Sequence, residues 1–238
     1  MTDTTDENAI RVEIAREVVK RKQQALGAHL LAAACYGSVA HAAASRYSDV
    51  ELILLTDDET PAVEEQFFAR GIMVECDRLP LTRILAAARR VDPQWGIEAD
   101  QHLHHLILWD PSGAFAQVQT AAKSVPGEAF ASALTPVWWA AWEARGKFRN
   151  AALQGDVASM YYSGWLFARN VALRIALHER RPYESLRTIW QDVAARGYGM
   201  RELIAALTGG SAEGLSSAGE FACEQTCAWG QPPDAPER

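Results

Sequence analysis

The chain has 238 residues, with 30 acidic against 23 basic side chains and a formal net charge of -7. Nucleic-acid binding needs concentrated positive charge, so this balance argues against a nucleic-acid partner and favours a cationic one. With 22% charged and 49% hydrophobic residues, the composition is that of a globular protein and excludes a fibrous or disordered chain.

The first eight residues are acidic and polar, without the basic and apolar regions of a secretory signal. The longest apolar stretch, around residues 136–142, is far shorter than the ~20 residues of a membrane span. We therefore expect a cytoplasmic protein with no membrane partner. The cysteines form no CxxC pair, so we expect buried apolar side chains rather than a zinc site or a disulfide. They are Cys35, Cys76, Cys223 and Cys227.

Short apolar runs alternate with helical patterns over the first half of the chain. Apolar residues recur at helical intervals up to about Leu26, and Gly27 is a typical helix stop. A second helix is predicted from Leu81 to Arg90. The predicted strands are residues 30–36, 49–55, 72–76 and 106–109.

After about residue 114 the pattern is helical throughout. The predicted helices are residues 115–124, 128–153, 157–179, 184–195, 201–207 and 212–229. Pro136 lies inside the second of these and indicates a kink or a fresh helix start. We predict an α+β fold in which an α/β domain with a mixed sheet, residues 1–125, precedes a helical bundle, residues 126–238.

The segment from Tyr36 to Glu51 carries the clearest chemical signal. Gly37 and Ser38 follow a strand, and a Gly-Ser turn lets backbone N–H groups approach an anion closely. Asp49 and Glu51 are two residues apart, so a strand places both carboxylates on one face. Two such carboxylates repel each other unless a cation lies between them, which predicts Mg²⁺. Each feature alone is common and usually structural; together they indicate metal-assisted nucleotide chemistry.

This arrangement of Gly-Ser, ten residues and Asp-x-Glu resembles the signature of the DNA polymerase β-like nucleotidyltransferase superfamily. Further segments resemble the kanamycin (aminoglycoside 4′-O-) nucleotidyltransferases along most of the first 155 residues. These segments are residues 47–51, Val74-Glu75, Gln101, residues 120–125 and residues 146–150.

The resemblance implies a nucleotidyltransferase domain followed by a helical domain, with active sites shared across a homodimer. It implies Mg²⁺ as cofactor, ATP as nucleotide triphosphate and an aminoglycoside as acceptor. The implied catalytic residues are Asp49, Glu51 and Glu143, with the first two as metal ligands and Glu143 as general base. The implied nucleotide contacts are Gly37, Ser38 and Lys147, and the implied substrate contacts are Glu75 and Gln101.

Two of these assignments have a competing explanation in the sequence itself. Glu143 and Lys147 are i,i+4, so they would share a helix face and could form an ordinary exposed ion pair. Glu75 could be an edge residue that faces solvent. The family also has an Arg in the loop after Gly-Ser, where this chain has His41; Arg46 is an alternative source of positive charge.

Clustered histidines and tryptophans favour structural roles. His102, His104 and His105 have no carboxylate at ligand spacing, so we expect solvated or packed side chains rather than a metal site. Trp138 and Trp142 have helical spacing and predict a core or subunit-contact stripe rather than a platform for adenine.

Three functional hypotheses follow. The first is transfer of AMP from ATP to an aminoglycoside hydroxyl, the 4′-hydroxyl by resemblance, with release of pyrophosphate and resistance to the antibiotic. Acidic residues would bind the ammonium groups: Glu75 and some of Glu64, Glu65 and Glu98. The second keeps the reaction but takes another small hydroxyl compound or a protein side chain as acceptor. The third is a catalytically silent binding module, which the intact Asp49 and Glu51 pair disfavours.

Overall fold

The computed structural model describes residues 4–186 and 188–235. The chain divides into two compact units, one of Met1–Arg90 and Ala99–Val125, the other of Val91–Glu98 and Pro126–Arg238. Strands and helices build the first unit, and helices build the described part of the second, so the predicted α+β class is confirmed. The division into domains 1–125 and 126–238 stays a prediction about folding units.

The first unit contains a mixed sheet and the helices that cover it. Its strands are β1 (Leu30–Cys35), β2 (Val50–Thr56), β3 (Val63–Ala69), β4 (Ile72–Pro80) and β5 (Leu106–Trp109). Its helices are α1 (Thr4–Leu26), α2 (Gly37–Ala40), α3 (Leu81–Ala88), α5 (Asp100–Leu103) and α6 (Ala114–Lys123), while α4 (Trp95–Glu98) belongs to the second unit. The strands and longer helices predicted for this region are confirmed, with ends shifted by a few residues.

The order of the strands places β2 at the centre of the sheet. Over the described residues the order is β3-β4-β2-β1-β5, with β2 and β4 parallel and the other neighbours antiparallel. Side chains alternate along β2, so Leu52 and Leu54 pack on the α1 side while Ile53 and Leu55 pack on the side of α3 and α6. Glu51 has the parity of Ile53 and Leu55, which assigns it to the second of these faces.

One strand, β3, is missing from the sequence prediction. It pairs with β4 at the edge of the sheet, and none of its residues is fully buried. Half-buried and exposed residues alternate along this strand, and Glu64, Glu65 and Gln66 interrupt any long apolar run, the pattern by which buried strands are recognised.

The second unit is a set of helices around its own apolar core. They are α4, α7 (Gly127–Gln154), α8 (Val157–Glu179), α9 (Ile189–Arg196), α10 (Met200–Gly209) and α11 (Ala212–Thr226). Gly155 and Asp156 link α7 to α8, and such a short link makes consecutive helices antiparallel neighbours. The predicted helix over residues 184–195 begins instead at Ile189, and Arg187 lies outside the described residues.

Helix α7 runs without interruption through Pro136, so a fresh helix start at that proline is wrong. Buried residues precede and follow it, and their packing compensates for the hydrogen bond that a proline removes. Trp138 is buried and donates a hydrogen bond from Nε1 to the Cys227 carbonyl oxygen at 3.1 Å. Trp142 stacks on it at 5.2 Å between ring centroids, which confirms the predicted core stripe.

The predicted burial of all the cysteines is confirmed. Among the helices of the described chain, none has both the length and the apolar character that crossing a membrane would require.

Candidate active site

The turn after β1 holds the Glu51 carboxylate against the backbone. Gly37 adopts a positive φ of 61°, which favours glycine. A Cβ at this position would lie 1.8 Å from Oε2 of Glu51, so only glycine lets the carboxylate come this close. The Ser38 backbone also hydrogen-bonds Glu51 and lowers its pKa. The turn predicted to hold a phosphate therefore contacts one of the predicted metal ligands.

Acidic side chains crowd around Glu51. Burial and, after it, the charges of Asp49, Glu75 and Asp100 together raise the pKa of Glu51 to about 7, against the hydrogen bond from Ser38. Glu75 is the in-register partner of Glu51 across the parallel pair of β2 and β4. Such a cluster favours a proton or a cation, because either relieves the repulsion between carboxylates.

Glu75 and its neighbours also have polar partners within the sheet. Nε2 of Gln66 donates a hydrogen bond to Oε1 of Glu75 at 2.9 Å, and Oη of Tyr36 donates one to Oδ2 of Asp77 at 3.4 Å. Burial raises the pKa of Asp77, and the pKa of Tyr36 is raised as well, mainly by burial. Glu75 is therefore held by the sheet beside Glu51 rather than free at an edge.

A buried arginine fixes the loop that leads into Asp49. The Arg11 side chain on α1 is 0% exposed. Its Nε donates to the Ser48 carbonyl oxygen at 2.7 Å, and one terminal nitrogen donates to the Arg46 carbonyl oxygen at 2.9 Å. The other terminal nitrogen donates to the backbone and side chain of Glu7. Arg11 thus anchors the backbone one residue and three residues before Asp49, the predicted metal ligand.

The histidine prediction is wrong in one respect. A carboxylate does lie at ligand spacing: His104 is i,i+4 with Asp100, and its Nδ1 contacts Oδ1 of that residue. His41 contacts Oδ2 of the same carboxylate through Nε2 at 2.7 Å. His41, from the loop after Gly37-Ser38, is therefore paired with an acid, while Arg46 lies over the Tyr47 ring at 5.8 Å.

The other two histidines are packed, as predicted. Burial lowers the pKa of His102 to about 4, and it lowers that of His105 as well. Nε2 of His105 donates to the Gln101 carbonyl oxygen at 2.8 Å, and the His105 ring lies 4.5 Å from that of Phe115. Gln101 itself is half-buried on α5, next to Asp100.

Glu143 and Lys147 lie on α7 in the second unit and form an exposed ion pair. Nζ of Lys147 is 2.7 Å from Oε1 of Glu143, and the side chains are 65% and 69% exposed. The hydrogen bond from Lys147 lowers the pKa of Glu143, and the same bond raises the pKa of Lys147. The pair is therefore arranged as the ordinary exposed ion pair that the sequence also allowed. While this ion pair is intact, Glu143 is a weak base.

The remaining acidic candidates lie apart from one another. Glu64 is in register with Asp77, and Gln66 is in register with Glu75, so both belong to the face of Glu51. Glu65 points to the opposite face, where its carboxylate contacts Nζ of Lys22 at 2.5 Å. Glu98 belongs to α4 in the second unit.

Comparisons with known proteins show what this chain is similar to. The family profile described as the KNTase C-terminal domain matches residues 112–226. Two curated proteins named aminoglycoside nucleotidyltransferase (4′), from Staphylococcus aureus and a Bacillus species, are each 26% identical over 174 residues, which cover 73% of this chain and 69% of theirs. The chain is thus similar to the aminoglycoside 4′-nucleotidyltransferases in both comparisons, which supports a nucleotidyltransferase.

A solved structure supports the fold. The nucleotidyltransferase-like protein from Exiguobacterium sibiricum 255-15 superposes with a TM-score of 0.50 at 14% identity, covering 92% of this chain and 74% of that one. This similarity to nucleotidyltransferases agrees with the Gly-Ser and Asp-x-Glu motif of the first unit.

Sequence reasoning missed Arg11 and Asp100. Arg11 lies within an amphipathic helix whose charged residues such as Glu13, Arg16 and Lys20 are exposed, so the pattern gives no signal for a buried guanidinium. Asp100 could have been found, because its spacing to His104 is a ligand spacing on a helix. Its contact with His41 comes from the fold and has no counterpart in local sequence.

Proposed function

We propose that this chain transfers AMP from ATP to the 4′-hydroxyl of an aminoglycoside, releasing pyrophosphate and conferring resistance to the antibiotic. One observation carries the proposal: the half-buried Glu51 carboxylate lies against Gly37, with the charge of Asp49 nearby, in a chain similar to the aminoglycoside nucleotidyltransferases. The Gly-Ser turn and the second carboxylate of Asp-x-Glu are thus in contact, an arrangement suited to binding a metal-bound triphosphate.

The residues present fit Mg²⁺. Asp49 and Glu51 supply hard oxygen ligands. Burial and the neighbouring acidic charges raise the pKa of Glu51 to about 7, and a cation would relieve the repulsion between these charges. Among the described residues, no third protein ligand joins them in a tight cluster. That agrees with a site completed by phosphate oxygens and water. Mg²⁺ bound here would neutralise charge on the triphosphate.

Ser38 is suited to contact the phosphates. Its Oγ is buried and has no hydrogen-bond partner among the described residues. A buried hydroxyl without a partner is costly, and a phosphate oxygen would satisfy it. Lys147 would contribute a second, positively charged contact. These two groups would hold the pyrophosphate as it departs.

Glu143 would take the proton of the attacking hydroxyl. A general base works best when its pKa lies near the working pH, whereas the bond from Lys147 holds the pKa of Glu143 low. When Lys147 turns to a phosphate, that bond is lost and the Glu143 carboxylate becomes a stronger base. The ammonium of Lys147 thus couples nucleotide binding to activation of the acceptor.

Acidic side chains would bind the acceptor. Aminoglycosides carry several ammonium groups, and Glu75 is held beside Glu51 on the same face of the sheet. Gln101 is a further contact by family resemblance, and the same resemblance supports a homodimer with shared active sites.

The test uses acceptors that differ at one hydroxyl. A sensitive bacterium that expresses the chain should survive kanamycin, tobramycin or amikacin, and the purified protein should modify acceptors that have a 4′-hydroxyl but not those that lack it. Equal modification of both kinds of acceptor would contradict the assigned position. Transfer of AMP to none of them, but to another hydroxyl compound or a protein side chain, would contradict the assigned substrate class.

A further inference from the structure

A second group of potential metal ligands lies in the first unit, formed by His41, Asp100 and His104. A ligand atom from each residue lies within 4.8 Å of the other two. The Asp100 carboxylate lies between the two imidazoles and contacts Nε2 of His41 and Nδ1 of His104. Its side chain is only 9% exposed, whereas those of His41 and His104 are 19% and 48% exposed.

We propose that His41, Asp100 and His104 form a binding site for a transition-metal ion, with Zn²⁺ as the ion that fits best. Two imidazole nitrogens and one carboxylate oxygen are borderline ligands that select zinc and its neighbours over Mg²⁺. The site is therefore chemically different from the all-oxygen pair Asp49 and Glu51, and it does not depend on the proposed transfer of AMP.

The spacing of the ligand atoms suits this ion. With metal–ligand distances of about 2.0–2.2 Å, the ligands of a tetrahedral zinc ion lie roughly 3.3 Å from one another. The observed ligand atoms need only small side-chain movements to reach that spacing. Two carboxylate–imidazole contacts would be exchanged for metal bonds, and any proton on a ligating nitrogen would be released.

The protein supplies three ligands, which leaves a fourth position for water or another small ligand. The exposed side chain of His104 marks the route by which the ion reaches the buried carboxylate. The ion would join the segment after α2 to α5, because His41 directly follows α2 and Asp100 begins α5. Binding would thereby stabilise the fold of the first unit.

The test is a zinc titration of the untagged protein after metal removal, followed by calorimetry. The wild type should bind zinc with release of protons, and Co²⁺ in its place should give the visible absorption of a four-coordinate ion with nitrogen ligands. Replacing an outer partner of a metal site lowers affinity by ~10–100-fold, so losing a ligand in His104→Ala should lower it at least ~100-fold. His41→Gln should lower the zinc affinity to a similar extent. It provides a second test if His104→Ala fails to fold.

Two matched variants separate this site from other places where zinc could bind. His29, Asp57 and Glu59 form another group with ligand atoms within 4.8 Å, so His29→Ala should leave the affinity unchanged. Asp49→Asn should also leave it unchanged, which keeps the outcome independent of the proposed function. The inference is overturned if the wild type does not bind zinc, if binding survives both His104→Ala and His41→Gln, or if only a control variant abolishes it.

Discussion

The two units present their acidic functional candidates in opposite ways. In the first unit Glu51 is partly buried, lies against Gly37 and has its pKa raised to about 7. In the second unit Glu143 is exposed, and Lys147 holds its pKa low. We infer from this difference that the fold positions the Glu51 carboxylate before any ligand binds. Glu143, by contrast, gains its proposed basicity only when its partner is engaged elsewhere.

Glu51→Gln is expected to have the largest effect on turnover. It tests whether the prepositioned carboxylate of the first unit is a metal ligand. Burial and the charges of Asp49 and Glu75 both disfavour a charged Glu51, so the uncharged, metal-free variant should be as stable as the wild type or more so. Its Mg²⁺-dependent turnover should fall by ~10³-fold or more, since a metal ion supplies several kcal/mol of charge stabilisation. Thermal unfolding and a pyrophosphate-release assay measure the two effects. A stable variant with unchanged turnover would remove Glu51 from the metal site.

Glu143→Ala tests whether Glu143 of the second unit acts as the general base. Loss of a general base lowers turnover by ~10²–10⁴-fold, while nucleotide affinity should stay within a few-fold of the wild type. Steady-state kinetics and nucleotide titration separate the two quantities. Glu128→Ala on the same helix is the matched control, because Glu128 is also exposed. Turnover near the wild-type value in Glu143→Ala would leave the pair as a surface ion pair only.

Gly37→Ala tests whether turnover depends on the position of the Glu51 carboxylate as well as on its charge. The new methyl group would occupy the space of Oε2 and push the carboxylate away, so turnover should fall by ~10²-fold, as when one preorganised charge-stabilising group is lost. Gly71→Ala is the control: Gly71 also has a positive φ, of 76°, but a Cβ there meets open space. Equal losses of activity in the two variants would mean that backbone strain, and not the displaced carboxylate, is responsible.

Arg11→Lys should produce a smaller effect on activity and a clear one on stability. A lysine has one nitrogen in place of the guanidinium and would lose at least one hydrogen bond to the Ser48 and Arg46 carbonyl oxygens. Losing a hydrogen bond to a charged group costs about 1.5–3 kcal/mol of unfolding free energy. The loop before Asp49 would loosen, so the Mg²⁺ concentration needed for half-maximal activity should rise. Denaturant unfolding and a Mg²⁺ titration check this, with the exposed Arg16→Lys as control. Unchanged stability and Mg²⁺ dependence would show that Arg11 does not position this loop.

Salt should have the smallest effect. If carboxylates such as Glu75 attract a polycationic acceptor, KM for the aminoglycoside should rise several-fold with salt, because the screening length is about 8–10 Å at moderate ionic strength. KM for a neutral hydroxyl acceptor is the control. A KM for the aminoglycoside that does not depend on salt would contradict electrostatic recruitment.

Local sequence was sufficient for β1, β2, β4 and β5, for most helices and for the Gly-Ser and Asp-x-Glu motif, because each depends on periodicity and turn residues within a short window. It failed at β3, where an exposed edge strand has no apolar run, and at Pro136, where packing on both sides preserves the helix. It also failed at the Asp100 contact with His41, because that contact joins residues far apart in the chain. The features that a short window of sequence does not predict are thus those that depend on tertiary packing, such as the contact between Asp100 and His41.

The most direct test of the central claim is mass spectrometry of kanamycin incubated with purified protein, ATP and Mg²⁺. The account predicts an AMP adduct of kanamycin that forms with the wild type, needs the divalent ion and is absent with Asp49→Asn. No adduct with the folded wild type, or the same yield from Asp49→Asn, would contradict it.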